Sequence, residues 1–318
     1  MSKILIREEY FSTERWGKPP SERTVEELLE AGLINLDKPP GPTSHQVTAW
    51  VRDILGVEKI AHGGTLDPNV SGVLPIATGK AVRAIDLTLK SDKEYVCFMK
   101  LHREKKESDV ARILMSFVGD IYQIPPVRSA VKRQLRVRKI HEIRILEIRG
   151  RDVLFRISCD AGTYIRTLCY DVGEALGVGA HMEELRRVRS GNLKEEDSCK
   201  LQDIKDAWVF WKEDGNEFMI KKIIMPFEKL FDSIPKIYVK DSAVDAICHG
   251  ADLAVVGITR IEDTILKGSN VAIFTEKEEV VALATALMNA ERMLVAKDGI
   301  AAKTIRVFMK PGTYPKMW

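Results

Sequence analysis

His62-Gly63-Gly64-Thr65-Leu66-Asp67-Pro68 puts two adjacent glycines and one carboxylate on a loop that a proline closes. Glycines let another backbone come close, so such a loop suits an acid offered to a tightly approaching ligand. From the residue types alone, an Asp-Pro turn whose carboxylate caps its own amides is the competing reading. Upstream, residues 33–37 read as a buried strand running into the rigid turn Lys38-Pro39-Pro40-Gly41-Pro42. Thr43-x-x-Gln46 then caps a helix whose Val47, Trp50, Val51, Ile54 and Leu55 share a face. Further out, Thr24-x-x-Glu27 has the form of a capping box. Downstream, residues 93–103 form a strand with Tyr95, Cys97, Met99 and Leu101 on one face. Residues 140–148 and 153–159 flank the hairpin turn Arg149-Gly150-Arg151-Asp152. Gly162 and Thr163 lead into a helix ending at Gly177, and residues 181–188 read as a second, short helix. After Pro235 the chain breaks into short β segments separated by Gly250, Gly257, Gly268 and Gly299, the pattern of a small barrel-like domain.

The 318 residues are 45% hydrophobic and 30% charged, which excludes a disordered or collagen-like chain. No apolar stretch nears the ~20 residues of a membrane-spanning helix, and the first residues lack a signal peptide's apolar core. A cytoplasmic protein without membrane contact is the expectation. The five cysteines are scattered without a C-x-x-C pair, and the six histidines lack H-E-x-x-H spacing, so no metal is expected. Thr78-Gly79-Lys80-Ala81 fails as a phosphate loop, because Leu74 replaces its first glycine and Ala81 its magnesium-binding hydroxyl. Gly177-x-Gly179 lacks a third glycine, and no G-x-S-x-G elbow occurs. With no cofactor expected, any catalysis falls to ordinary side chains. Net charge is only +3, yet between Arg128 and Arg151 nine Lys/Arg face two acids, which suggests a polyanionic partner.

Six motifs occur in order: Leu36-Asp-Lys-Pro-Pro-Gly-Pro-Thr-Ser-His45, His62–Pro68, Lys93-Glu-Tyr95, Ile124-Pro-Pro-Val-Arg-Ser-Ala-Val-Lys132, Ala161-Gly-Thr-Tyr-Ile-Arg166-Thr-Leu and Leu185-Arg-Arg-x-x-x-Gly191. Together they resemble the TruB-type pseudouridine synthases across residues 33–200. The stretch from Ile247-Cys-His-Gly-Ala to Val307-Phe-Met, and the ending Tyr314-Pro-Lys-Met-Trp318, resemble the PUA domain and terminus of the dyskerin branch. The resemblance implies an α+β fold, with a mixed, largely antiparallel sheet flanked by helices plus a small β-barrel-like PUA domain. It divides the chain into an N-terminal extension (1–32) packing on the C-terminal domain, a catalytic domain (33–234) and a PUA domain with its tail (235–318).

The family reaction breaks the N1–C1′ bond of a uridine, turns the uracil and joins C5 to C1′. By resemblance Asp67 is the catalytic acid, either bonding C1′ or taking the C2′ proton through a glycal. Burial favours the neutral form of a carboxyl group, and a cation within ~4–6 Å restores the charged one; Arg166 stands at the family position for that cation. Tyr95 corresponds to the active-site tyrosine that stacks on the base and assists loss of the C5 proton. His62 resembles the residue that fills the space of the extruded nucleotide, Leu185 the leucine lining the base pocket, and Thr65 belongs to the same substrate-binding loop. Lys38, counted with this substrate-binding group, is expected with Pro39 to shape the turn beneath the loop.

Arg128, Lys132, Arg133 and Arg136, with Arg138 and Lys139, become candidate phosphate contacts, and Arg260, Lys267 and Lys303 candidate contacts on the PUA-like domain. Only 71 residues separate Tyr95 from Arg166, leaving little room for the T-arm-gripping loops of stand-alone transfer-RNA enzymes. The resemblance therefore implies the archaeal form of the catalytic subunit of an H/ACA guide-RNA particle. Its partners are guide RNA, substrate RNA and small accessory proteins, including a kink-turn-binding, ribosomal-protein-like subunit. A free-standing transfer-RNA synthase and a catalytically silent RNA-binding scaffold remain as alternatives. Val256, where related PUA domains carry proline, departs from the pattern.

Overall fold

The Lys93–Leu101 strand shows how the sequence builds the larger sheet: its residues alternate between buried and half-buried along the whole length. Cys97, Met99 and Leu101 are fully buried on one face. In the computed structural model, which describes residues 3–125 and 132–317, the chain divides into two units. One comprises Ile34–Thr78 and Ala84–Ile223. The other comprises the N-terminal part up to Leu33, Gly79–Arg83, and the chain from Ile224 onward. Among the described residues no helix is long and apolar enough to cross a membrane.

In the first unit the strands follow the spatial order Gly32–Lys38, Ser71–Thr78, Ala180–Ser190, Lys93–Leu101, Asp152–Cys159, Arg136–Arg149 and Gly119–Gln123. The contact between Ser71–Gly72 and Arg186–Arg187 is parallel. The pairings of Lys93–Leu101 with both its neighbours, and those on to Gly119–Gln123, are antiparallel. This is the mixed, mainly antiparallel α+β sheet that the motifs imply. Helix Ile165–Ala175 buries Ile165, Leu168, Cys169 and Val172, which join one core with Cys97, Met99, Phe155 and Ile157. Helix Ser44–Leu55 opens with the expected reciprocal capping box between Thr43 and Gln46 and ends on Gly56 at φ +62°. The box at Thr24 and Glu27 forms as well.

One element differs from its sequence reading. Residues 181–188 are part of the strand Ala180–Ser190, not a helix. Glu, Leu and Arg favour helix locally, but this segment is hydrogen-bonded on both sides, to Lys93–Leu101 and to Ser71–Thr78. Tertiary pairing outweighs an intrinsic preference worth only a few tenths of a kcal/mol per residue.

The second unit is β-rich, and its sheet includes the short β segments expected after Pro235. Its strands run in the order Ile4–Ile6, Ile258–Glu262, Lys236–Val239, Asn270–Thr275, Val280–Ala286, Ile300–Val307 and Leu253–Ala254. The N-terminal strand joins this sheet directly, with Leu5 opposite Ile261. Ile237, Val271, Ile273, Val281 and Met293 are among its fully buried core residues.

Candidate active site

Three side chains from other elements hold the loop that carries Asp67. Lys38 is fully buried, and its ammonium donates to the carbonyls of Pro39, Pro68 and Val70 at 2.8–2.9 Å. An ammonium has three donors, and all three are used. Ser44, first residue of its helix, receives the Leu66 N–H at 2.9 Å and donates to the Leu66 carbonyl at 3.1 Å. The third is Arg187, whose guanidinium donates to Val73 O at 2.7 Å and to Gly64 O at 3.1 Å. Gly64 itself sits at φ +116°, where a side chain would be strained. A Cβ on Gly63 would lie 1.9 Å from the Thr88 hydroxyl, so the loop lies directly on that residue.

Asp67 accepts from the Arg166 guanidinium at 2.6 Å. Arg166 is the second residue of its helix, and the turn before the helix is fixed by Gln123, which exchanges two hydrogen bonds with the Tyr164 backbone. Thr163 closes the same turn onto the Asp160 carbonyl. Both members of the ion pair are about half exposed, so a bound nucleotide would have to supply the water exclusion expected for this acid. They border a cavity of about 440 Å³ whose walls include Thr65, Tyr95, Leu185, Lys93 and Arg187.

Tyr95 is buried, and that burial pushes its hydroxyl above the usual tyrosine range, opposed first by the charge of Arg187. Arg187 lies directly across the sheet from Tyr95 and is 2% exposed. Lys93, two residues before Tyr95 on the same strand face, is also buried. Burial, then the Arg187 charge, pulls its amine down to about 7. Among the described residues, Asp67, Thr65, Tyr95, Arg166 and Leu185 thus meet at one cavity.

Other expected residues lie elsewhere. Lys38 stands beneath the loop with every donor spent, outside the cavity walls, so it braces the turn and has no donor left for substrate. His62 is likewise outside those walls; it packs edge-on against His45 with ring centroids 4.9 Å apart. Burial, with His45 and Arg187 nearby, lowers the His62 pKa, and among the described residues its Nδ1 has no hydrogen-bond partner. Arg128 lies outside the described residues. Lys132 and Arg133 are exposed, Arg133 donating to the Pro125 carbonyl, while Arg136 is half-buried and donates to Lys132 O. Lys267 and Lys303 are exposed. Arg260 is not free: it pairs with Glu276 at 2.7 Å and stacks over Tyr238 at 4.1 Å. Its charge is spent within the β-rich unit.

Arg187 and Lys93 are the residues that reading roles from the sequence missed. Both occur in quoted motifs, but the helical reading of 181–188 separated Leu185 from Arg187. In a strand, positions i and i+2 share a face, and these two line one wall.

A mixed sheet presenting an acid–guanidinium pair beside a buried tyrosine has close relatives. The model of the TruB family pseudouridylate synthase N-terminal domain matches residues 52–165, and that of the tRNA pseudouridylate synthase B C-terminal domain matches 166–232. PUA and DKCLD models match 235–308 and 1–48. A probable tRNA pseudouridine synthase B of Methanothermobacter thermautotrophicus is 52% identical over 318 residues, covering 100% of this chain and 98% of that protein. Its counterpart in Pyrococcus furiosus is 52% identical, covering 99% and 94%. Among solved structures, a chain of an H/ACA RNP bound to a substrate RNA containing 2′-deoxyuridine superposes with TM-score 0.94 at 49% identity, covering 100% and 98%. A chain of a Cbf5-Nop10-Gar1 complex superposes with TM-score 0.93 at 52% identity, covering 99% and 97%. The chain belongs to the TruB family of pseudouridine synthases, in the dyskerin-like group that adds DKCLD and PUA domains.

Proposed function

We propose that this chain converts guide-selected uridines in ribosomal and transfer RNA to pseudouridine, as the catalytic subunit of an H/ACA particle. The 2.6 Å pair between Asp67 and Arg166 at the cavity wall carries the chemical part of this reading. The partners follow from the relatives, two of which are a chain in an H/ACA RNP with substrate RNA and one in a complex with Nop10 and Gar1. Guide RNA, substrate RNA and small accessory proteins, including a kink-turn-binding subunit, are the proposed partners, and the cytoplasm the proposed compartment. The domain limits 1–32, 33–234 and 235–318 are retained as a proposal, with the PUA domain holding the ACA end of the guide.

Cleavage of N1–C1′ leaves positive charge on the sugar and negative charge on the uracil. The Asp67 carboxylate answers the first, bonding C1′ or taking the C2′ proton, and Arg166 holds it in place. Extrusion of the nucleotide costs a few kcal/mol of stacking, and His62 beside the loop is proposed to fill the vacated space. Thr65 and Leu185 border the uracil, and Tyr95 stacks on it. After C5 joins C1′, the C5 proton leaves with help from the Tyr95 oxygen. Exposed Lys132, Arg133, Lys267 and Lys303, with Arg128 and Arg136, supply phosphate contacts, so affinity falls steeply with salt.

Arg166→Ala is expected to slow single-turnover conversion by ~10²-fold while changing RNA affinity less than about threefold, since preorganised charge acts on the transition state. Equal losses in rate and affinity would contradict its pairing role. Direct action on transfer RNA, after which the curated relatives are named, is the alternative reading. Pseudouridine formation with matched guide RNA and accessory proteins, compared with naked transfer RNA, decides between them. Strong dependence on guide and proteins supports the particle; full activity on naked transfer RNA supports the stand-alone enzyme.

A further inference from the structure

Lys93 has no assigned part in the chemistry, yet it is 5% exposed and lies on the wall of the cavity that holds Asp67. Its Nζ is surrounded by three oxygens: Thr88 O at 2.7 Å, Ser91 O at 2.5 Å and Ser91 Oγ at 3.1 Å. That is the full complement of an ammonium. All three acceptors belong to the end of the short helix Asp86–Lys90 and the residue after it. Thr88 in turn donates to Ile85 O at 2.6 Å and fills the space against Gly63. Leu89 lies over Gly64, 3.7 Å from where its Cβ would stand. Gly63 and Gly64 belong to the loop that presents Asp67, so a continuous set of contacts runs from the ammonium to the acid's own loop.

We propose that Lys93 is a positioning residue: it clamps the Thr88–Ser91 segment so that this segment supports the glycine pair and fixes the aim of Asp67. The proposal rests on the catalytic reading of Asp67 given above. Lys38, Ser44 and Arg187 grip the loop by its polar backbone groups from other sides, whereas Thr88 is the packing surface under Gly63. Arg187, Arg189, Asp92, Cys159 and Tyr95 are the titratable or charged neighbours of the amine or of its strand face. No carboxylate is hydrogen-bonded to the Lys93 nitrogen, so among its described hydrogen bonds it is held only by the segment it clamps.

The test is hydrogen–deuterium exchange on the full chain, read on a peptide covering residues 62–70, together with single-turnover conversion and RNA affinity. Lys93→Met is expected to speed exchange in that peptide at least tenfold. Peptides from the Asn270–Thr275 and Val280–Ala286 strands should stay unchanged. Conversion should fall at least tenfold and RNA affinity stay within about twofold, a split that general loss of stability would not produce. Thr88→Ala, which keeps the ammonium's acceptors but empties the space under Gly63, should move exchange and rate in the same direction, and serves alone if Lys93→Met does not fold. Unchanged exchange in the loop peptide, or faster exchange with wild-type conversion, overturns the proposal. Wild-type protein that forms no pseudouridine with guide and partners would instead sink the functional reading, while the exchange result still judges the clamp.

Discussion

Asp67→Asn is expected to reduce pseudouridine formation by at least ~10²-fold while leaving the fold and RNA binding intact. The amide keeps the shape of the carboxylate but can neither bond to C1′ nor accept the C2′ proton. Loss of a group that takes part directly in the chemistry removes ~10²–10⁴-fold of rate. Stability should barely move. The Asp67–Arg166 pair is about half exposed, and pairs of that kind contribute ~0–1 kcal/mol. The loop is held by Lys38, Ser44 and Arg187 through its backbone, none of which contacts the changed atoms. Thermal unfolding, RNA affinity and nucleoside analysis of the modified RNA measure the three parts separately. A melting temperature lowered by many degrees would mean that the acid is structural.

Arg187→Leu is expected to weaken both fold and function. Leucine matches the burial of this site, but the change leaves the carbonyls of Val73 and Gly64 without their donor. Each orphaned buried acceptor costs ~1–3 kcal/mol. Relief of the buried charge offsets part of this, leaving a net loss of about 3 kcal/mol, or roughly 6–12 °C in Tm. Conversion should fall at least ~10²-fold even well below the melting transition, because this guanidinium locates the loop that carries Asp67. A variant with wild-type stability and rate would show that Arg187 merely fills space. A less stable variant with normal turnover would separate the fold from the site.

Much of the site is legible in the sequence because its signals are local. The glycine pair and proline around Asp67, the Thr43 and Thr24 caps, and the alternation of residues 93–101 each act through neighbours along the chain. The pairing of Asp67 with Arg166 spans 99 positions, and only the ordered motifs suggested it. What stayed hidden depends on sheet partners. Residues 181–188 carry helix-favouring side chains, and only hydrogen bonding on both edges makes them a strand. With that strand comes the face shared by Leu185 and Arg187, and hence the contact to Tyr95. Arg260 shows the converse limit: sequence reads it as a free cation, while Glu276 and Tyr238, 16 and 22 residues away, take up its charge and ring-facing surface.

Tritium release from RNA labelled at uridine C5 is the most direct test of the carboxylate's role. With matched guide and accessory proteins, the wild-type protein should release one tritium for each target uridine converted, and Asp67→Asn should release none above background. Equal release by both proteins would show that the chemistry proceeds without the acid at position 67.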